Sequence, residues 1–112
     1  MKRADKYLLD ILMSIEYIEE FIPTDYSFLD YLKDRKTSSS VERQLAIIGE
    51  AVNQYEKLNP NISLKNTGQI IAMRNRLIHA YDSIDDNVIW SAIKKDLPLL
   101  KKEAKQIMND FE

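Results

Sequence analysis

The sequence of 112 residues contains no cysteine and only one histidine. Without cysteine it has no disulfide framework, no thiolate metal site and no cysteine nucleophile. With a single histidine as well, neither a zinc site nor a haem site is expected. We therefore predict a protein that needs no metal or other cofactor. The lack of cysteine also agrees with a reducing cytoplasm, where we expect the chain to work.

Turn-forming residues are scarce too, with 2 glycines and 3 prolines, which disfavours a turn-rich β architecture. No apolar run approaches the ~20 residues of a membrane span. Acidic residues follow the basic N-terminus closely, so a signal peptide is not expected. The apolar fraction of 45% and the charged fraction of 30% suit a core and a soluble surface. These values predict one all-α domain over residues 1–112 that does not contact a membrane.

The chain carries no excess of positive charge, because 16 Lys and Arg residues face 18 Asp and Glu residues, giving a net charge of −2. A protein that binds nucleic acid through its overall charge is normally basic. Any contact with RNA would therefore need a local basic patch.

Apolar residues at three- and four-residue spacing predict a first helix from about Lys2 to Ile22, ended by Pro23. Its buried stripe comprises Leu8, Ile11, Leu12, Ile15, Ile18 and Ile22. A short helix is predicted within residues 24–37, and residues 33–38 are interpreted as a solvated connection.

Ser39 and Glu42 have the spacing of a capping box and predict the start of a helix that extends to about Leu58. Its apolar seam comprises Val41, Leu45, Ile48, Val52 and Tyr55. Gly49 lies inside this helix, where glycine costs about 1 kcal/mol relative to alanine, and close approach of another helix would explain it. Arg43, Glu50 and Asn53 lie off the seam. Such residues more often face solvent, but they could also line a cleft.

Asn66 is predicted to cap the next helix, whose buried side comprises Ile70, Ile71, Leu77 and Ile78. The last helix is predicted to be capped by Asp85 or Asp86, and Pro98 must kink or restart it. It has a broad apolar side from Val88 to Met108 and a basic outer side, which is usually a solvated face.

The segment MRNRLIHAY, residues 73–81, holds the groups expected in metal-free phosphodiester chemistry. Arg74 is a permanent cation suited to phosphate oxygens, and His79 can donate and accept protons near neutral pH. Tyr81 offers a hydroxyl that can bond, be modified or simply pack. A lone histidine near a helix end is more often a cap or a packing residue, so residue type alone leaves both interpretations open.

Spacing adds a constraint on this segment. Asn75 and His79 are four apart and share a helix face. Arg74 and His79 are five apart, about 140° around a helix. Either the arginine reaches round, or the helix ends near His79, or the cleft is shared with a second copy of the chain.

Several segments together resemble one known family. RNRLIHAY at 74–81 resembles the signature of the HEPN superfamily and, more closely, of the HepT toxins that pair with MNT-type minimal nucleotidyltransferase antitoxins. IIGEA at 47–51, VIW at 88–90 and DLPLL at 96–100 resemble further segments of that family. Relatives often carry a tryptophan about seven residues before the motif arginine, where this chain has Thr67.

The resemblance implies an HEPN-like, up-and-down helical bundle of four long helices and one short helix, forming a two-fold homodimer. It implies a toxin that is a metal-independent endoribonuclease acting on tRNA or mRNA. Arg74 would contact the scissile phosphate, His79 would be the general acid and base, and Asn75 would position them. Tyr81 would be the tyrosine to which the antitoxin adds AMP. Three further residues are expected to support the substrate: Arg43, Glu50 and Arg76.

Two other functions remain open at this stage. The chain could be an accessory subunit that presents substrate or nucleotide to a nucleotidyltransferase, with His79 lining the ligand cleft. Alternatively, Asn75 and His79 could serve only to bond helix ends inside a dimer.

Overall fold

The computed structural model describes residues 3–62, 64–65, 67–79 and 85–110, with the side chains of residues 3, 4, 68, 78, 79 and 110 left aside. Within these ranges the regular structure is entirely helical. The elements are α1 (Arg3–Phe21), α2 (Phe28–Lys33), α3 (Arg35–Leu58), α4 (Gly68–His79), α5 (Asp86–Ser91), a π-helical segment (Ala92–Asp96) and α6 (Leu97–Asp110). The last three run on without a break, so the described part of the chain forms four long helical rods and one short helix. The predicted all-helical bundle is confirmed.

The core lies where the apolar stripes of the long helices meet. α3 packs against both α1 and α4, and α1 also packs against α6. All five seam residues of α3 are buried, as are five of the six stripe residues of α1, with Leu12 half-buried beside them. The remaining rods contribute Ile70 and Met73 from α4, Ile89 from α5 and Leu100 from α6. The periodicity of the sequence therefore identified the buried faces of α1 and α3 correctly. On α4 the prediction is only partly confirmed, because Ile71 and Leu77 are half-buried and Met73, which was not predicted, is buried, while the side chain of Ile78 is not described.

The predicted start of α3 is wrong. The helix begins at Arg35, where the Asp34 carboxylate accepts hydrogen bonds from the Thr37 amide (3.1 Å) and the Thr37 hydroxyl (2.6 Å). A second contact fixes Asp34, because the Tyr26 hydroxyl donates to it at 2.8 Å. Residues 35–38, interpreted from the sequence as a solvated connection, are thus the first turn of α3. A capping box does occur, but between Ser27 and Asp30 at the start of α2.

The last rod begins as predicted. The Asp85 side chain accepts the Asn87 amide at 2.9 Å and caps α5. Just before Pro98 the chain is π-helical, with the Leu97 amide bonded to the Ala92 carbonyl. α6 then begins at Leu97, so Pro98 occupies its first turn, where no amide hydrogen is needed. The helix does not restart at Pro98; instead, its hydrogen-bond pattern changes from π-helical to α-helical at the residue before the proline.

α4 is the helix that carries the MRNRLIHAY segment. It begins at Gly68, and the Ile71 amide donates to the Thr67 carbonyl at 2.9 Å. The Thr67 side chain is buried, and its hydroxyl donates to the Leu64 carbonyl at 3.1 Å. The predicted cap at Asn66 lies outside the described residues. None of the helices described is long and apolar enough to cross a membrane.

Candidate functional site

Gly49 of α3 lies directly against the Arg74 side chain of α4. A Cβ atom placed on Gly49 would lie 2.5 Å from the Arg74 Cβ, 2.9 Å from its Cγ and 3.4 Å from the Ile70 carbonyl oxygen. Only glycine leaves room for the first of these contacts. The predicted close approach of another helix is confirmed, and it seats the base of the Arg74 side chain directly on α3.

The guanidinium of Arg74 is held by two neighbours. Its Nη2 donates to Oε2 of Glu50 at 2.5 Å, and its Nη1 donates to Oδ1 of Asn75 at 2.9 Å. Glu50 in turn accepts a hydrogen bond on Oε1 from the Gln54 amide at 2.9 Å. The Arg74 side chain keeps 23% of its surface exposed. The structure thus brings together three of the predicted site residues: Arg74, Asn75 and Glu50.

Gln54 is a member of this group that the sequence interpretation missed. The signal that could have found it is spacing, because residues four apart on a helix are neighbours and Gln54 follows Glu50 by four. The pKa of the Glu50 carboxyl is lowered, first by the hydrogen bond from Gln54 and then by the charge and hydrogen bond of Arg74. Glu50 is therefore ionised at neutral pH.

Arg74 still has donors to offer. A guanidinium carries five N–H groups, and the two bonds above use only two of them. Its Nε is buried and has no hydrogen-bond partner among the described residues. Because the head group remains partly exposed, an anion such as a phosphate can approach the unused Nη hydrogens.

Arg43 lies on the exposed side of α3 between two neighbouring hollows. One hollow lies between α1 and α3 and also has Glu50 in its wall. The other reaches α4 at Leu77 and is bordered by Ser39 and Glu42. Arg43 therefore occupies the surface between the Arg74–Glu50 pair and the last turns of α4.

Arg76 lies on another side of α4. Two residues correspond to about 200° around a helix, so Arg76 points away from Arg74. Its exposed side chain lines a hollow with Met73, Asp85 and Val88. Within one chain the structure does not bring Arg76 to the Arg74–Glu50 pair.

His79 is the last residue of α4 in the described range, and Tyr81 lies outside the described residues. The backbone is helical from Arg74 to His79, which separates their Cα atoms by about 7.5 Å along the axis. Arg74 does not reach round the helix in this structure, because Glu50 holds its guanidinium against α3. A cleft shared with a second copy remains a prediction.

In the ranges that the structure describes, no three His, Cys, Asp or Glu side chains are grouped so that they could hold a metal ion.

Comparison with known proteins places this arrangement in a family. The model of the ribonuclease HepT-like family matches residues 11–107. A Thermococcus cleftensis protein named probable ribonuclease HepT is 42% identical, over 96% of this chain and 98% of its own. A candidate RNase of Caldanaerobacter subterraneus is 36% identical, over 96% of both chains. Another, from Methanocaldococcus jannaschii, is 34% identical, over 99% of this chain and 92% of its own.

No solved structure matches the chain at a significant level. The family match nevertheless spans both the IIGEA segment of α3 and the motif on α4. These two segments contact each other where the Arg74 side chain packs on Gly49. The chain belongs to the ribonuclease HepT-like family.

Proposed function

We propose that the chain is a metal-independent endoribonuclease that acts as the toxin of a toxin–antitoxin pair. Its substrates would be cellular RNAs, either tRNA or mRNA. Beyond family membership, one observation carries the proposal: Arg74 is fixed by Glu50 and Asn75 while part of its guanidinium remains exposed. The only histidine of the chain follows on the same helix.

The reaction needs a cation for the phosphate and a group that moves protons. Arg74 would bind non-bridging oxygens of the scissile phosphate and stabilise the charge that develops there. His79 would take the proton of the ribose 2′-hydroxyl as its oxygen attacks phosphorus. The bond from phosphorus to the 5′-oxygen then breaks, and that oxygen would receive a proton from the His79 imidazolium, which returns to its neutral form. The products are a 2′,3′-cyclic phosphate and a free 5′-hydroxyl.

Asn75 has a positioning role in this proposal. Its amide oxygen accepts from Arg74, and it lies four residues before His79, on the same face of α4. It can therefore orient the arginine while standing beside the acid–base group. Glu50 would keep the guanidinium in one orientation from the opposite helix.

A second copy of the chain would complete the site. A two-fold dimer would place two copies of Arg43, Arg74 and Arg76 around one cleft. This matters because the net charge of one chain is −2. Arg74 and His79 lie about 140° apart around α4. A cleft shared by two copies would bring both residue types together despite that separation.

Neutralisation would occur by modification of Tyr81. An MNT-type nucleotidyltransferase antitoxin would transfer AMP to its hydroxyl, two residues after His79. The added group brings bulk and a negative charge next to the residues that receive the RNA phosphate. RNA would then be repelled as well as sterically excluded.

The test uses the purified chain, free of any partner, and tRNA and mRNA in the presence of EDTA. The variants are Arg74→Ala and His79→Ala, with Lys105→Ala, an exposed change on α6, as the control. We expect the wild type and the control to cleave, leaving 2′,3′-cyclic phosphate ends, and the two motif variants to leave RNA intact while remaining folded. If His79→Ala cleaves as well as the wild type, the mechanism is wrong. Intact RNA with the wild type, together with nucleotide binding, would favour an accessory subunit of a nucleotidyltransferase.

A further inference from the structure

The hollow between α1 and α3 is a groove of about 480 Å³. That volume lies within the ~300–1,000 Å³ typical of small-ligand sites. Its floor is apolar, formed by Ala46, Ile47 and Ala51 of α3 with the half-buried Tyr7 of α1 beside them. Its rim is charged and consists of Lys6, Asp10, Arg43 and Glu50.

This groove shares Glu50 with the proposed phosphate site. Glu50 lines the groove and also binds Arg74, so the groove opens beside the guanidinium. Arg43 precedes Glu50 by seven residues on the same face of α3, about 10 Å along the axis. A ligand anchored at Arg74 can therefore extend along the groove towards Arg43.

The balance of charge around the rim favours an anionic ligand. Asp10 is partnered by Lys6 at 3.4 Å and Glu50 by Arg74, so both carboxylates have a counter-charge. The Arg43 side chain is exposed and makes no hydrogen bond or ion pair with any residue that the structure describes. One cation therefore remains available at the rim. Lys6 does not add a second, because its Nζ is paired with Asp10 and lies 5.1 Å from the centre of the Tyr7 ring.

We propose that this groove binds the nucleotide adjacent to the cleaved bond, with its unpaired base on the apolar floor and its phosphate on Arg43. The proposal rests on the ribonuclease function and specifies its substrate as single-stranded RNA. A base that is stacked and paired in a duplex cannot enter the groove, whereas an unstacked base can lie against Tyr7 and Ile47. If a helix of another protein occupied the groove instead, it would cover the apolar floor but would supply no phosphate for Arg43 to bind.

Binding of an uncleavable oligonucleotide tests the groove separately from catalysis. The probe is a fluorescent single-stranded RNA with 2′-O-methyl groups throughout, titrated with the full chain at several salt concentrations. Arg43→Ala removes the phosphate contact, and Ile47→Glu places a charge on the floor. Ile47 is 36% exposed, so this change spares the core. Arg43→Lys retains the charge, and Lys105→Ala on α6 is the matched control.

We expect Arg43→Ala to weaken binding and to reduce the slope of log affinity against log salt by about 1. Arg43→Lys should restore that slope. Ile47→Glu should weaken binding about tenfold, because base contacts in such grooves contribute on this scale. With cleavable RNA, Arg43→Ala should raise KM and leave kcat unchanged, and Lys105→Ala should match the wild type throughout.

The outcomes separate this proposal from the ribonuclease proposal. If the wild type cleaves but Arg43→Ala and Ile47→Glu bind and cleave like the control, the groove proposal is overturned and the ribonuclease stands. If the variants weaken binding of the probe but the wild type cleaves nothing, the groove binds RNA and the nuclease proposal fails. If Ile47→Glu converts a dimer to a monomer, measured by light scattering, the groove is an interface between copies and the proposal is wrong.

Discussion

Replacing Gly49 with alanine tests how closely α3 and α4 pack, because two effects of opposite sign compete. In an exposed helix the change would stabilise the fold by about 1 kcal/mol, since alanine has the higher helix propensity. Here the new methyl group would lie 2.5 Å from the Arg74 Cβ. That atom is fixed to the backbone of α4 and cannot rotate away, so the two helices must separate.

Overpacking of this kind typically costs about 1–3 kcal/mol, which outweighs the gain in propensity. We expect a net loss of roughly 1 kcal/mol, equivalent to a Tm lower by about 4–8 °C for a chain of this size. The separation would also move Arg74 relative to Glu50, so RNA cleavage should fall together with stability.

The assay is thermal unfolding followed by circular dichroism, supported by urea titration. The control is the pair of variants Ser39→Gly and Ser39→Ala. Ser39 is an exposed position of the same helix, so these two variants differ only in helix propensity. If Gly49→Ala raises Tm as much as alanine does over glycine at Ser39, the helices do not meet as described and the argument fails.

Three further predictions concern charged residues. The pKa of Glu42 is raised by burial and by Asp86. Since a raised pKa means that ionisation costs stability, Glu42→Gln should raise Tm at pH 7 and make no difference well below the usual carboxyl pKa of 4.5. Asp34→Ala should lower Tm by several degrees in thermal unfolding, because Asp34 caps α3, whereas Ser39→Ala should not. The pKa of Glu50 is lowered, so its contribution to stability is present above pH 4.5 and is lost as acid titrates it. Glu50→Gln should therefore flatten the acid limb of a plot of unfolding free energy against pH, and an unchanged limb would contradict the pairing.

The buried faces of α1 and α3 could be predicted from sequence because they depend only on helical periodicity. The start of α3 could not. Two caps compete within a few residues, Ser39 with Glu42 and Asp34 with Thr37, and local spacing favoured the first. The observed cap is held by a hydrogen bond from Tyr26, eight residues earlier, on the far side of α2. Tertiary contacts of this kind decide between local signals of similar strength.

Part of the candidate site could likewise be predicted from the sequence, and part could not. The family resemblance of the RNRLIHAY segment marked Arg74, Asn75 and His79 as candidates, which residue types alone did not do, and the partner of Arg74 was not predicted. Glu50 precedes Arg74 by 24 residues, and their pairing depends on the register between two helices. The sequence predicted a close approach at Gly49 without indicating which residue of α4 would fill it.

Gly49 and Glu50 are consecutive, and this adjacency links packing to chemistry. Gly49 admits the base of the Arg74 side chain, and the next residue supplies the carboxylate that holds its other end. A shift of α4 along α3 by one turn, about 5.4 Å, would lose both contacts together. The orientation of the Arg74 side chain therefore depends on the register of α4 along α3. A change that preserves the Arg74 charge but disturbs the contact at Gly49 should impair binding of phosphate as well as folding.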